Sequence, residues 1–257
     1  MSGPDLTIAV LLPDVLGTYS DAGNAVVLAQ RARRRGLTAE IMHVTADSTP
    51  PATCELYLLG GGEDTAQAFA TDWLTRHRDL LHTMSHSAQT FAVCAGLQIL
   101  GRYVTDSQGR RHNGLGLLDL TTAPGRRRAV GEVITRCELP GVGLLTGFEN
   151  HRGTSAGGAG LHPLGRVLSG VGNGDRAVVS RARTEGAVTE RLLATYLHGP
   201  VLARNPALAD HLLHRVTGLA DTELPEPPDL PELRRTYLAS APRRRVRTLL
   251  SRPLRRR

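Results

Sequence analysis

Short apolar runs rich in β-forming residues alternate with stretches of helical spacing along the first hundred residues, and that alternation leaves very few architectures open. Residues 6–12 (LTIAVLL) form one such run, closed by Pro13, and 38–44, 55–59 and 90–93 form three more. After the first run, Ser20 or Asp21 is placed to cap a helix that carries Val26, Val27 and Leu28 and stops at Gly36. A second helix is expected over about 65–81, where Ala66, Phe69, Ala70, Trp73 and Leu74 recur at helical spacing, and another from Gly96 to Tyr103. The alternation predicts an α/β fold: a mostly parallel sheet flanked by helices, with ligands at the carboxyl ends of its strands. From 114 to 188 the pattern turns to glycine-rich loops and short strands, which predicts an antiparallel extension. Residues 192–197 are a last strand, and Asn205-Pro206 opens a helix through Leu213.

At 257 residues the chain suffices for one well-buried domain. We draw that domain over 1–220, a Pro-rich linker with a short helix (232–239) over 221–242, and an Arg-rich tail, expected to be flexible, over 243–257. The formal charge of +7 belongs to that tail: its eight Arg and no acid leave −1 for the other 242 residues. Nucleic-acid binding is therefore not expected of the body. Every basic side chain is Arg, so a phosphate-binding P-loop lysine is excluded. No apolar stretch approaches the roughly 18–20 residues that cross a bilayer, and Met1-Ser2-Gly3-Pro4-Asp5 has no signal-peptide pattern. The expected location is cytoplasmic. Cys54, Cys94 and Cys137 have no metal-like spacing, so no metal site is expected and the thiols are read as reduced.

Of these, Cys94 stands apart. In Phe91-Ala92-Val93-Cys94-Ala95-Gly96-Leu97-Gln98 a strand runs into Cys, then small residues, then a helix. That order builds a nucleophile elbow, in which a tight turn lifts the side chain over the sheet edge and places it at a helix N-terminus that favours thiolate. Cys54 and Cys137 lack this context and are read as structural. A thiol acting on an amide needs an oxyanion hole; Ala95 offers one backbone N–H, and Gly61 and Gly62, in the Gly60-Gly61-Gly62 run after another strand, can supply the second. Glu63-Asp64 beside them is read as a helix cap. Of ten histidines, His198 follows a strand and precedes Gly199-Pro200, which puts it at the same sheet edge and makes it the preferred base. His151, in Gly147-Phe148-Glu149-Asn150-His151, is the second candidate.

These segments, with Tyr19-Ser20-Asp21-Ala22-Gly23-Asn24 and Tyr196-Leu197-His198-Gly199-Pro200, appear in one order over about 5–215 and resemble the class I (triad-type) glutamine amidotransferases, whose architecture is flavodoxin-like. Within them the chain is similar to the cobyric-acid-synthase-like branch and its GatD-like glutaminase subunits. The resemblance implies that Cys94 attacks the side-chain amide of L-glutamine, that His198 passes the proton to departing ammonia, and that water clears a thioester to glutamate. It implies an Arg for the substrate carboxylate; Arg126-Arg127-Arg128 lies in the matching region and Arg128 is the choice. It implies a separate MurT-type Mur ligase that amidates the D-glutamate of lipid II to D-isoglutamine, with ATP and Mg on that partner and no cofactor in this chain. Two departures stand out: Pro200 sits where many relatives carry the triad Glu, leaving the third member unassigned, and Ala92 replaces Gly two residues before the nucleophile.

Other readings share the fold: an amidotransferase for another acceptor such as a cobyrinic-acid-type substrate, a catalytically silent scaffold, or a thiol peptidase on a similar elbow. The Arg tail fits docking on an anionic membrane surface, which would place the protein at the inner membrane face; RNA binding and plain disorder fit the same charges.

Overall fold

The computed structural model describes residues 3–18, 21–174, 178–179, 182–219 and 224–239. The expected α/β architecture with an antiparallel extension is what forms. The first four strands are β1 (Leu6–Leu11), β2 (Ala39–Val44), β3 (Leu56–Leu59) and β4 (Gln89–Val93). Between them run α1 (Gly23–Arg33), α2 (Asp64–Arg76) and α3 (Arg78–His86). Every residue of β3 and β4 is buried, as continuous apolar runs are when helices cover both faces of a parallel sheet. The helix expected over 65–81 is two helices. His77 leaves the helical conformation (φ −96°, ψ 71°), and its Nδ1–H donates to the Trp73 carbonyl across 2.8 Å, which satisfies one acceptor at the break.

The helix after Cys94 is one and a half turns, α4 (Ala95–Leu100), shorter than expected because β5 (Tyr103–Thr105) begins almost at once. There follow β6 (Arg111–Asn113), β7 (Leu120–Cys137), β8 (Leu144–Gly157), β9 (Gly165–Ser169), β10 (Val178–Val179), β11 (Ala182–Glu185), β12 (Ala187–Val188) and β13 (Leu192–Thr195). The chain then makes α5 (Val201–Arg204), α6 (Pro206–Thr217) and α7 (Leu230–Ala239).

The strands sort into two sheets. The first has the order β12-β13-β4-β3-β1-β2, parallel except for the antiparallel edge pair β12–β13. Insertion of β13 beside β4 sets Thr195 opposite Val93, so the residues just beyond these strands, Cys94 and His198, emerge at one edge. The second sheet is dominated by the long antiparallel β7–β8 hairpin, whose register breaks between Pro124 and Ala129 and so bulges at Arg126, Arg127 and Arg128. Phe148 of β8 exchanges backbone hydrogen bonds with His198 in both directions (3.3 and 2.8 Å), which ties the second sheet to the edge of the first.

Residues 224–239 do not run as a free spacer. Arg31 of α1, almost fully buried, donates to Asp210 of α6 (2.5 Å) and to Glu226 (2.8 Å). Arg234 of α7 donates to the carbonyls of Leu144 and Arg204, and Arg204 lies over the ring of Tyr237. The tail over 243–257 lies outside the described residues.

Candidate active site

Cys94 holds a backbone conformation that L-residues rarely adopt, φ 52° and ψ −102°. Its neighbours are small by necessity: a Cβ on Gly96 would stand 2.8 Å from the Leu59 carbonyl oxygen and 2.9 Å from the Leu59 Cβ. The turn is fixed by its own amide, which donates to the Thr195 carbonyl (2.8 Å). The side chain thus sits at the head of α4, nearly buried and facing a cavity of about 870 Å³.

His198 meets it there, 1% exposed. Its Nδ1–H donates to the Asp21 carboxylate (3.1 and 3.2 Å), which turns the other ring nitrogen away from Asp21, and both His198 and Cys94 line the cavity. Burial alone would lower the affinity of this imidazole for its proton. The Asp21 carboxylate, with the neighbouring Cys94 sulfur, outweighs that effect and raises it to about 9.

The spacing offers Ser20 or Asp21 as the cap of α1, and the structure gives Asp21 other contacts. The residue at the cap of α1 is Ala22, with no side-chain capping bond, and Ser20 lies outside the described residues. The Asp21 carboxylate, 3% exposed, also accepts the Gly61 N–H (2.9 Å). Asn24 fastens this loop from below: its Nδ2 donates to the Asp21 carbonyl (2.9 Å) and its Oδ1 accepts from Leu202 N (3.0 Å), just past Gly199-Pro200. Asp21 thus supplies the carboxylate that faces His198 Nδ1. No local spacing pointed to it, since 177 residues separate it from His198.

The glycine run divides by position. Because the Gly61 amide is taken by Asp21, it is not free for an oxyanion. A Cβ there would lie 2.8 Å from His198 Cε1 and 3.2 Å from Asp21 Oδ2, so the residue keeps the backbone against this pair. The amides of Gly62, which lines the cavity, and of Ala95, which follows Cys94, make no hydrogen bond among the described residues.

Of the three bulge arginines, Arg128 lines the cavity, and its Nε donates to Asn150 Oδ1 (2.5 Å). His151 also borders the cavity but is engaged elsewhere. It donates from Nδ1 to the Gly153 carbonyl (2.8 Å), stacks on Tyr196 at 3.9 Å and turns Nε2 towards Glu149, 3.5 Å away. Glu149 in turn accepts from Val171 N and Gly172 N, which makes this pair a brace for the loop after β9. A hydrogen-bonded row, Gln98–Tyr196–Ser155–Thr122 (3.0, 2.7 and 2.7 Å), joins α4, the end of β13, β8 and β7. Among the described residues no group of three or more His, Cys, Asp and Glu is set to hold a metal ion, and no helix is long and apolar enough to cross a membrane.

Comparison with known proteins agrees with this layout. Residues 7–206 match the model of the CobB/CobQ-like glutamine amidotransferase domain. The chain is 33% identical over 213 residues to the lipid II isoglutaminyl synthase (glutamine-hydrolyzing) subunit GatD of Staphylococcus aureus (strain N315), covering 82% of this chain and 84% of that one. To the subunit of the same name from Streptococcus pneumoniae (strain ATCC BAA-255 / R6) it is 30% identical over 212 residues, covering 81% and 79%. A crystal structure of a glutamine amidotransferase superposes with a TM-score of 0.54 at 18% identity, covering 82% of this chain and 99% of that one, a likeness of fold.

Proposed function

This chain belongs to the CobB/CobQ-like glutamine amidotransferase family, and from that premise we propose that Cys94, His198 and Asp21 hydrolyse L-glutamine and release ammonia for a partner ligase. The observation that carries the reading is the grouping of three residues: a sulfur on a strained turn, an imidazole lining the same cavity, and a buried carboxylate on one ring nitrogen of that imidazole.

In this scheme His198 already carries the proton at neutral pH, and the Cys94 sulfur attacks the side-chain carbonyl carbon of glutamine as thiolate. The oxygen that gains charge is met by the amides of Ala95 and Gly62. Collapse expels the nitrogen as ammonia, with the proton supplied by the imidazolium, and leaves a γ-glutamyl thioester. A water activated by His198 then adds to the thioester and frees glutamate and the thiol. Arg128, presented by Asn150, binds the α-carboxylate of the substrate; Arg126 and Arg127, outside the cavity lining, are not needed for it.

The acceptor and the partner follow from the GatD relatives, which are subunits of lipid II isoglutaminyl synthase. The partner of this chain is a MurT-type Mur ligase that carries ATP and Mg and amidates the D-glutamate of lipid II. The Arg-rich tail adds a membrane-surface contact that brings the pair to a lipid-linked acceptor.

Glutamate release by the full-length chain, alone and with a MurT-type partner, tests the reading. Cys94→Ala is expected to reduce it to background in both settings, and the partner to stimulate the native chain. Release that persists in Cys94→Ala removes the sulfur from the mechanism, and a native chain that releases none under either condition returns the silent scaffold.

A further inference from the structure

Where the chain passes from the second sheet to the first, it places a buried acid that no step above uses. Glu185, the last residue of β11, is 0% exposed. Its backbone is fixed on both sides. It pairs with Gly165 of β9, and Gly186 exchanges two 2.8 Å hydrogen bonds with the side-chain amide of Asn173. Gly186 turns there at φ 66°, with its backbone so close to the Ala194 carbonyl oxygen that a Cβ would run into it.

From this position one carboxyl oxygen, Oε1, reaches the end of β13. It accepts the Thr195 hydroxyl (2.8 Å) and the Tyr196 N–H (2.7 Å). Thr195 in turn joins Cys94 to His198. Its carbonyl accepts the Cys94 N–H (2.8 Å), and its hydroxyl oxygen accepts the N–H of Leu197 (3.1 Å), the residue before His198. Phe148 holds the backbone of His198 itself, so the run from Thr195 to His198 is tied at both ends to strands of the second sheet.

The other oxygen, Oε2, is buried and has no hydrogen-bond partner among the described residues. The titratable groups that bear on Glu185 are Glu149 of β8 and Cys137 of β7, and neither carries positive charge. A dry carboxylate is unfavourable. Burial, with the negative charge of Glu149 adding to it, pushes this carboxyl up to about 7 against the pull of Tyr196 and Thr195. Protonated at Oε2, it has the hydrogen-bonding outline of a glutamine side chain, with an acceptor at Oε1 and a donor beside it.

We propose that Glu185 is a positioning residue for glutamine hydrolysis, its Oε1 setting the Thr195–Tyr196 main chain and, through it, the Cys94 elbow against His198. Glu185 is not part of the cavity lining, so its effect reaches the reaction through Thr195 and Tyr196. This rests on the glutaminase reading and adds how the second sheet fixes the geometry of the reacting groups.

The test measures kcat and KM for L-glutamine in the full-length chain, together with the rate at which iodoacetamide alkylates Cys94. Glu185→Leu keeps most of the bulk and removes the acceptor. It is expected to lower kcat by about tenfold or more with KM within about twofold, since a shift of about 1 Å at reacting atoms costs up to about 100-fold while the cavity lining stays the same. Alkylation of Cys94 should slow in the same variant. Glu185→Gln, which keeps the acceptor, should restore both rates relative to Glu185→Leu. If Glu185→Leu does not fold, Thr195→Val, which deletes the hydroxyl, and Thr195→Ser, which keeps it, make the same comparison. Native kcat and alkylation in a folded Glu185→Leu or Thr195→Val chain overturn the positioning role and leave the glutaminase intact. So does a loss confined to KM, or a Glu185→Gln chain as impaired as Glu185→Leu. No glutamate release by the native chain, alone or with a MurT-type partner, overturns the glutaminase reading and the positioning role with it.

Discussion

Two N–H groups, from His198 and Gly61, converge on the Asp21 carboxylate, and the proton balance of the site follows from that shared acceptor. An imidazole held at about 9, above its ordinary 6.5, is charged at neutral pH and ready to protonate a leaving nitrogen. Glutamine hydrolysis should therefore fall as pH rises through about 9. In Asp21→Asn the kcat should drop by about 100-fold or more, and the alkaline limb should move to lower pH, which a pH–rate profile measures. The sign for folding agrees: a histidine raised on folding contributes stability fully below 6.5 and loses it as pH rises through about 9, so the native chain should lose its margin over Asp21→Asn across that window. At this scale the sequence was legible where chemistry sits in a local pattern. Cys94 and His198 were placed by what flanks them, and the structure brings the two together. Asp21 was not, because a carboxylate before a helix reads as a cap, and only the fold carries it to a histidine near the other end of the chain.

Among the elements, α1 and α6 are joined through a buried cation. Arg31 has 7% of its side chain exposed and serves two carboxylates, Asp210 and Glu226. Arg31→Leu takes the Arg31 cation from Glu226 and leaves Asp210 with Arg35, and a loss of about 2 kcal/mol is expected, read as a lower denaturant midpoint with little change in slope. The strands of the parallel sheet were legible to within a residue or two, since a run buried on both faces is apolar throughout and ends where the turn begins. The helices were less so. Phe69 to Leu74 keep helical spacing up to His77, yet a side chain that competes for a backbone carbonyl splits the segment there. The contacts of 224–239 were hidden by their composition: proline-rich sequence reads as a linker, while the arginines that pin it lie in α1 and α7.

For the molecule as a whole, the contrast between a body of net charge −1 and a terminal run of eight Arg defines one experiment. With vesicles containing anionic lipid, the full chain should bind and a chain ending at Pro242 should not, with binding weakened by added salt. Equal binding by both removes the tail from membrane docking. The fold class was legible at this scale because strand–helix alternation leaves one economical arrangement, and family membership follows from a match over 7–206. The size of the second sheet was not legible, since glycine-rich stretches conceal how far β7 and β8 pair.

The β7–β8 hairpin carries Arg128 at its bulge and, through Phe148, grips the backbone of His198. Distance along it is therefore a ruler for the site: a slip of two residues would carry Arg128 about 7 Å along the strand. Length changes should be tolerated according to which side of that ruler they fall on. A short epitope inserted after Gly141, in the turn between the strands where a side chain meets nothing within 4 Å, leaves every pairing in place and should preserve glutamine hydrolysis. One extra residue between Phe148 and His151 should abolish it in a chain that still folds, and a set of single-residue insertions scanned along the hairpin would trace the boundary between decoration and machinery.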